Sequence, residues 1–200
     1  MTFTRLAVHL TAGSACAASL VIFLPAPASD VQAVSVQPAR VTVFRRLPPA
    51  DSGFPVRVHI PSINVDAEIK PVTLTTKGAM DMPDSPDIVG WYSLGVRPGE
   101  NGSAVLAGHL DWYNGKTAVF QNLDTLKKGD LLSIETNKGR FLLFSVREIR
   151  SYNPYEYAPD VFAKSDSSHL NIVTCGGVWD PVRKIYSKRI VVFADAVERM

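Results

Sequence analysis

Thiols are scarce in this chain. Its 200 residues include two cysteines, Cys16 and Cys175, too few for the disulfide framework that staples many small exported domains. Neither sign of charge dominates, since 21 Lys and Arg stand against 19 Asp and Glu, for a formal net charge of +2. A nucleic-acid binder usually carries a pronounced basic surface, so the balance argues against that class. The sequence contains no G-x-x-x-x-G-K-[ST] or G-x-G-x-x-G phosphate loop and no internal repeat. One domain thiol and scattered histidines give no zinc-ligand spacing, and no acidic cluster demands calcium. Neither a metal nor another cofactor is therefore expected.

Acidic residues are absent until Asp30. Before it, one Arg near the start precedes an apolar and small-residue run from Leu6 to Ala28, the pattern of an export signal. Ala26-Pro27-Ala28 offers a cleavage site of the A-x-A kind. The run also approaches the roughly 20 residues that span a bilayer, so residues 1–28 read as a signal peptide or a membrane anchor. Gly13 stands where a lipobox has Leu, so Cys16 reads as a small apolar residue of this segment. Residues 29–53, with VQPAR and RRLPPADSG, read as a Pro-rich linker. The folded domain is expected over 54–200, at the extracytoplasmic face of the membrane.

What is present is mostly strand. VRVHI (56–60) alternates, and a second run follows over 63–69. AVLA (104–107) is short and apolar, LLSIET (131–136) alternates, and RFLLFSV (140–146) follows a turn at 137–139. LNIVT (170–174) and RIVVFA (189–194) complete the set. The one helix expected is TAVFQNLDTL (117–126), with Val119, Leu123 and Leu126 on one face. Many short strands with irregular connections imply a mainly β closed barrel or sandwich. The 46% apolar fraction is enough for its core.

LNIVTCGGVWD (170–180) sets Cys175 at a strand end before two glycines. A lone thiol is commonly inert and buried. In an exported domain it is exposed to oxidation and tends to be kept for its chemistry. AVLAGHLDWYNG (104–115) sets His109 after a buried-type strand and Gly108, which would let the chain turn and present the ring. His9 falls in the export segment, His59 alternates within a strand, and His169 lies on a polar loop. Arg189 begins the otherwise apolar last strand, where an arginine is ordinarily just solvated. Taken together, Cys, His and Arg make a mechanism. A thiolate is the nucleophile for acyl transfer, an imidazolium protonates the leaving amine, and a guanidinium donates to a developing oxyanion or to substrate carbonyls.

Four stretches carry a resemblance: VGWYSLGVRPGENGSAVLAGHLDW around His109, AVFQNLDTLKKGD, LNIVTCGGVWD at Cys175 and YSKRIVVFA at Arg189. Over about 54–197 the chain resembles a sortase, specifically the class F-type sortases of Gram-positive bacteria. The resemblance implies a closed eight-stranded β-barrel with a few short helices. It implies a cysteine transpeptidase that cleaves an LPxTG-like sorting motif and passes the acyl group to an amine, such as one on a peptidoglycan precursor. Its partners would be the sorting-signal peptide of surface proteins, the amine acceptor, and the membrane through the N-terminal segment. By position, Cys175 is implied as nucleophile, His109 as general acid/base and Arg189 as stabiliser, with Arg183 a second candidate for the last role. Thr174 is expected to support the substrate pocket. Gly176 and Gly177 are expected to keep bulk away from the thiol and to permit a turn offering N–H donors. Two other readings stay open. One is an L,D-transpeptidase-like acyl-transferase, although TCGG replaces its usual S-x-G-C context. The other is a non-catalytic wall-binding β module.

Overall fold

The structure is a computed structural model that describes residues 52–197. The segment 1–28, with His9 and Cys16, and nearly all of the linker 29–53 lie outside the described residues. Eight strands form the frame: β1 Pro55–Ile60, β2 Val65–Val72, β3 Val89–Tyr92, β4 Gly102–Ala107, β5 Leu131–Thr136, β6 Phe141–Tyr152, β7 Ser168–Asp180 and β8 Ile185–Ala196. They close into a barrel in the order β1-β2-β3-β4-β7-β8-β6-β5. The mainly β, closed-barrel expectation holds. Among the described residues no helix is long and apolar enough to cross a membrane.

The period-2 alternation of strands explains which side chains fill the interior. Val58, Ile60, Leu106, Ile134, Ile172 and Val192 are all fully buried there. On the other face of β4, β7 and β8, a second apolar cluster joins Val105 and Val191 to Val161, with Val173 and Tyr152 packed against it. All six residues of β4 are buried, as expected of a strand covered on both faces. The short strand reading AVLA was therefore a sign of a two-sided core.

β4 and β7 run parallel, pairing Val105 with Asn171 and Ala107 with Val173. β7 and β8 run antiparallel and set Cys175 opposite Arg189. Cys175 and Arg189 thus lie within β7 and β8, and His109 follows the end of their neighbour β4.

The structure departs from two local expectations and adds one strand that the sequence does not signal. The helix over 117–126 does not form; only a 3-10 turn at Leu123–Thr125 does. Its donors are spent elsewhere, with Val119 N–H on the carbonyl of Pro86 (2.8 Å) and Phe120 N–H on that of His109 (3.0 Å). A ten-residue window has too little intrinsic helicity to resist such competition. Strand β3 has no clear signal in the sequence because it is four residues long and contains Gly90. The turn expected at Gly176-Gly177 is instead an irregularity within β7, which continues to Asp180. The reversal comes at 181–184, where Asp180 Oδ1 accepts the amides of Val182 (2.9 Å) and Arg183 (3.0 Å).

Candidate active site

His109, Cys175 and Arg189 line one pocket of about 770 Å³. Its floor is the outer face of β4, β7 and β8, formed by Val105, Ala107, Val173 and Val191. Its wall is the segment after β6, including Tyr157, Ala158 and Phe162. Two anchors hold that wall. Tyr152 Oη (2.6 Å) and Arg150 Nη1 (2.6 Å) both donate to Asp160 Oδ2. Buried Asn171 on β7 donates through Nδ2 to the carbonyl of Val161 (2.7 Å).

Gly108 fixes the placement of His109. Its N–H donates to the carbonyl of Val173 (3.1 Å), and its own carbonyl accepts the buried Thr174 hydroxyl (2.8 Å). Thr174 therefore does not line the pocket; it clamps β7 to the residue before the histidine. The glycine is needed for packing rather than for a turn. A Cβ there would stand 2.5 Å from the ring of Phe120 and 2.8 Å from Val119.

The His109 ring packs edge-on against Trp112, with centroids 4.7 Å apart. Its Nε2 lies 2.8 Å from the carbonyl of Pro83. A carbonyl only accepts, so Nε2 carries the hydrogen and Nδ1 is left for proton exchange.

Arg189 sits directly opposite Cys175, the relation in which cross-strand side chains interact most closely. Its half-buried guanidinium donates to the carbonyl of Lys188 at 3.0 Å and reaches that of Tyr186 at 3.5 Å. Arg183 is exposed in the β7–β8 turn, 3.9 Å from Asp180 Oδ2, and lines no part of the pocket. Burial pushes the Cys175 thiol above its ordinary pKa; Arg189 opposes that rise and the carboxylate of Asp111 adds to it.

Gly176 and Gly177 serve β8 rather than the pocket. A Cβ on Gly176 would stand 2.6 Å from Ile190. Gly177 has φ +77° and would collide with the Ser187 hydroxyl. That hydroxyl accepts the Val178 amide at 2.9 Å and holds the irregularity.

The other two described histidines, His59 and His169, lie apart from the pocket. His59 faces Asp66 (3.3 Å) on β2. His169 is six residues before Cys175, about 20 Å along a strand, with Asp195 at 2.7 Å and Ser165 at 3.0 Å. Among the described residues no group of three His, Cys, Asp or Glu side chains gathers to hold a metal.

Two side chains near the thiol gave no signal in the sequence. Asp111 follows His109 by two positions, and Tyr186 precedes Arg189 by three. The Tyr186 hydroxyl donates a hydrogen bond to Asp111 Oδ2. That bond and burial push the phenol up to about 12.

A family model described as the sortase domain matches residues 58–197. The structure is similar to sortase C-1 of Actinomyces oris, with 26% identity and TM-score 0.56 over 72% of this chain and 76% of that one. It is similar to a sortase D5 transpeptidase of Clostridium perfringens, with 25% identity and TM-score 0.54 over 72% and 79% of the two chains. Sortase A of Corynebacterium diphtheriae shares the fold at 20% identity and TM-score 0.55, over 74% and 62%. No curated protein matches the sequence.

Proposed function

We propose, since the chain belongs to the sortase family, that it is a class F-type enzyme acting on an LPxTG-like sorting motif outside the cytoplasm. Cys175 is the nucleophile, His109 the acid/base and Arg189 the stabiliser. The observation that carries this reading is the convergence of the three on one pocket, Cys175 from β7, Arg189 from β8 and His109 from just past the end of neighbouring β4.

In the first half-reaction the Cys175 thiolate attacks the scissile carbonyl of the sorting peptide. The charge developing on that oxygen is met by the fixed guanidinium of Arg189. The imidazolium of His109 gives its proton to the leaving amine as the C–N bond breaks. A thioacyl enzyme remains. An amine of the cell wall then takes the acyl group and regenerates the thiol. The apolar floor of Val105, Val173 and Val191 suits an extended peptide carrying an apolar side chain. Residues 1–28 hold the domain at the membrane or direct its export, and 29–53 are the tether. The exposed position of Arg183 favours Arg189 as the third residue.

Mass spectrometry of the full-length protein with an LPxTG-type peptide tests this. A mass increase equal to the acyl fragment, located on Cys175 and absent in Cys175→Ala, is expected. An unmodified thiol across a panel of sorting peptides rejects the assignment.

A further inference from the structure

Cys175 lies between two chemically different surroundings. Toward lower numbers on β7 and higher numbers on β8 is the apolar floor, with Val173 and Val191. In the other direction are Tyr186 on β8 and Asp111, just past the end of β4 and His109. These two are joined by the hydrogen bond from the phenol to Oδ2. β7 lies between β4 and β8 in the barrel, so this bond reaches over β7 beyond the thiol. The β7 residues next after Cys175 are Gly176 and Gly177, which have no side chain to obstruct it. Neither Asp111 nor Tyr186 lines the apolar pocket. Asp111 is exposed, with its loop closed by an isolated bridge to Thr117. Its carboxylate is near enough to Cys175 to raise the thiol's pKa.

An acyl transfer to an amine needs two binding regions on one nucleophile, one for the acyl donor and one for the acceptor. The acceptor arrives in water as an ammonium ion, which the apolar pocket would repel. We propose that Asp111, oriented by Tyr186, is the acceptor subsite: its carboxylate binds the incoming ammonium group beside the thioacyl bond. The inference rests on the acyl-transfer reading above. Phenol donation to Oδ2 leaves Oδ1 for the ammonium and fixes the carboxylate's orientation. Because a charge-assisted hydrogen bond is stronger than a neutral one, the subsite prefers cationic amines to water.

The transfer balances with residues already named. The bound ammonium gives one proton to neutral His109. The uncharged nitrogen forms the new C–N bond as the C–S bond breaks, and the sulfur leaves with that electron pair. The second nitrogen proton passes to the sulfur. The products are an amide, the Cys175 thiol and the His109 imidazolium, so the single positive charge of the reactants is retained.

The test is how the thioacyl enzyme partitions among nucleophiles, a product ratio independent of how fast the intermediate forms. Full-length wild type, Asp111→Asn and Tyr186→Phe are given an LPxTG-type peptide with glycinamide, a cationic amine, or with hydroxylamine, which is uncharged at neutral pH. For Asp111→Asn the amide-to-acid ratio with glycinamide falls about tenfold, the loss of one charge-assisted bond. Tyr186→Phe falls by less, and the hydroxamate-to-acid ratio holds in both. An unchanged glycinamide ratio in Asp111→Asn overturns the subsite while the acyl-transfer reading stands. An equal fall for both nucleophiles also overturns it, since general disturbance does not discriminate charge. If wild type forms no thioacyl enzyme, the acyl-transfer reading fails and this inference falls with it.

Discussion

A thiol pushed above its ordinary pKa is mostly protonated at neutral pH. For Cys175 the dominant cause is burial, with the charges of Arg189 and Asp111 acting in opposite directions. The sign of each substitution follows. Alkylation of Cys175 should rise with pH through a midpoint above the ordinary thiol value of about 8.5. Arg189→Gln removes the cation that favours thiolate and moves the midpoint up; Asp111→Asn removes an anion and moves it down. Iodoacetamide rates across the alkaline range measure both shifts, and a common direction for the two variants would contradict this electrostatic account. Arg189→Lys keeps a charge but loses the planar fork of donors, so peptide cleavage should drop by roughly 2 kcal/mol of transition-state stabilisation, the scale of one hydrogen bond to a charged group. Arg183→Lys, on an exposed turn, should cleave as wild type does.

The junction of β4 and β7 is an element whose precision depends on small residues. Gly108→Ala must push aside Phe120, which is fully buried, and overpacking of this kind costs about 1–3 kcal/mol. Thr174→Val keeps the shape but leaves the Gly108 carbonyl without its buried donor, again about 1–3 kcal/mol. Chemical denaturation should show both losses. Because Gly108 precedes His109, both variants should also lower kcat for peptide cleavage more than they raise KM. At this scale, the strands over 56–60 and 131–136 were legible in the sequence because one side chain in two is apolar, and a period is a local property. The stretch 117–126 has a helical period but forms no helix because the amides of Val119 and Phe120 are taken by the carbonyls of Pro86 and His109, partners outside the stretch. Cys175, His109 and Arg189 stand out in the sequence by their residue types alone. Their meeting in one pocket depends on strand order, and Asp111 and Tyr186 come together only through it. The role of Gly108 was expected to be conformational and is steric, because Phe120 is distant in the pattern and adjacent in space.

For the whole molecule, closure of the barrel depends on the β1–β5 seam, and the described fold extends past the start of β1. Phe54 N–H donates to Asn137 Oδ1 (2.9 Å), its carbonyl accepts the Asn137 amide (2.9 Å), and Arg97 stacks on its ring at 4.3 Å. A chain of residues 52–200 should melt where the full chain does. A chain of residues 56–200 loses two hydrogen bonds of about 1 kcal/mol each, which lowers Tm by about 4–8 °C. Scanning calorimetry on the three lengths decides this, and equal melting of the shortest would show that the seam does not depend on Phe54. The parallel pairing of β4 with β7 has a further consequence, in time rather than in space. Residues 102–107 meet 168–173 only after β5 and β6, which lie between them in sequence, have been looped out, and such long-range pairings are slow to form. The thiol, the imidazole and the guanidinium therefore meet only once the described strands from β4 to β8 have been arranged. Until those pairings form, Cys175 has neither Arg189 opposite it nor the pocket around it, and its thiol is that of any other cysteine.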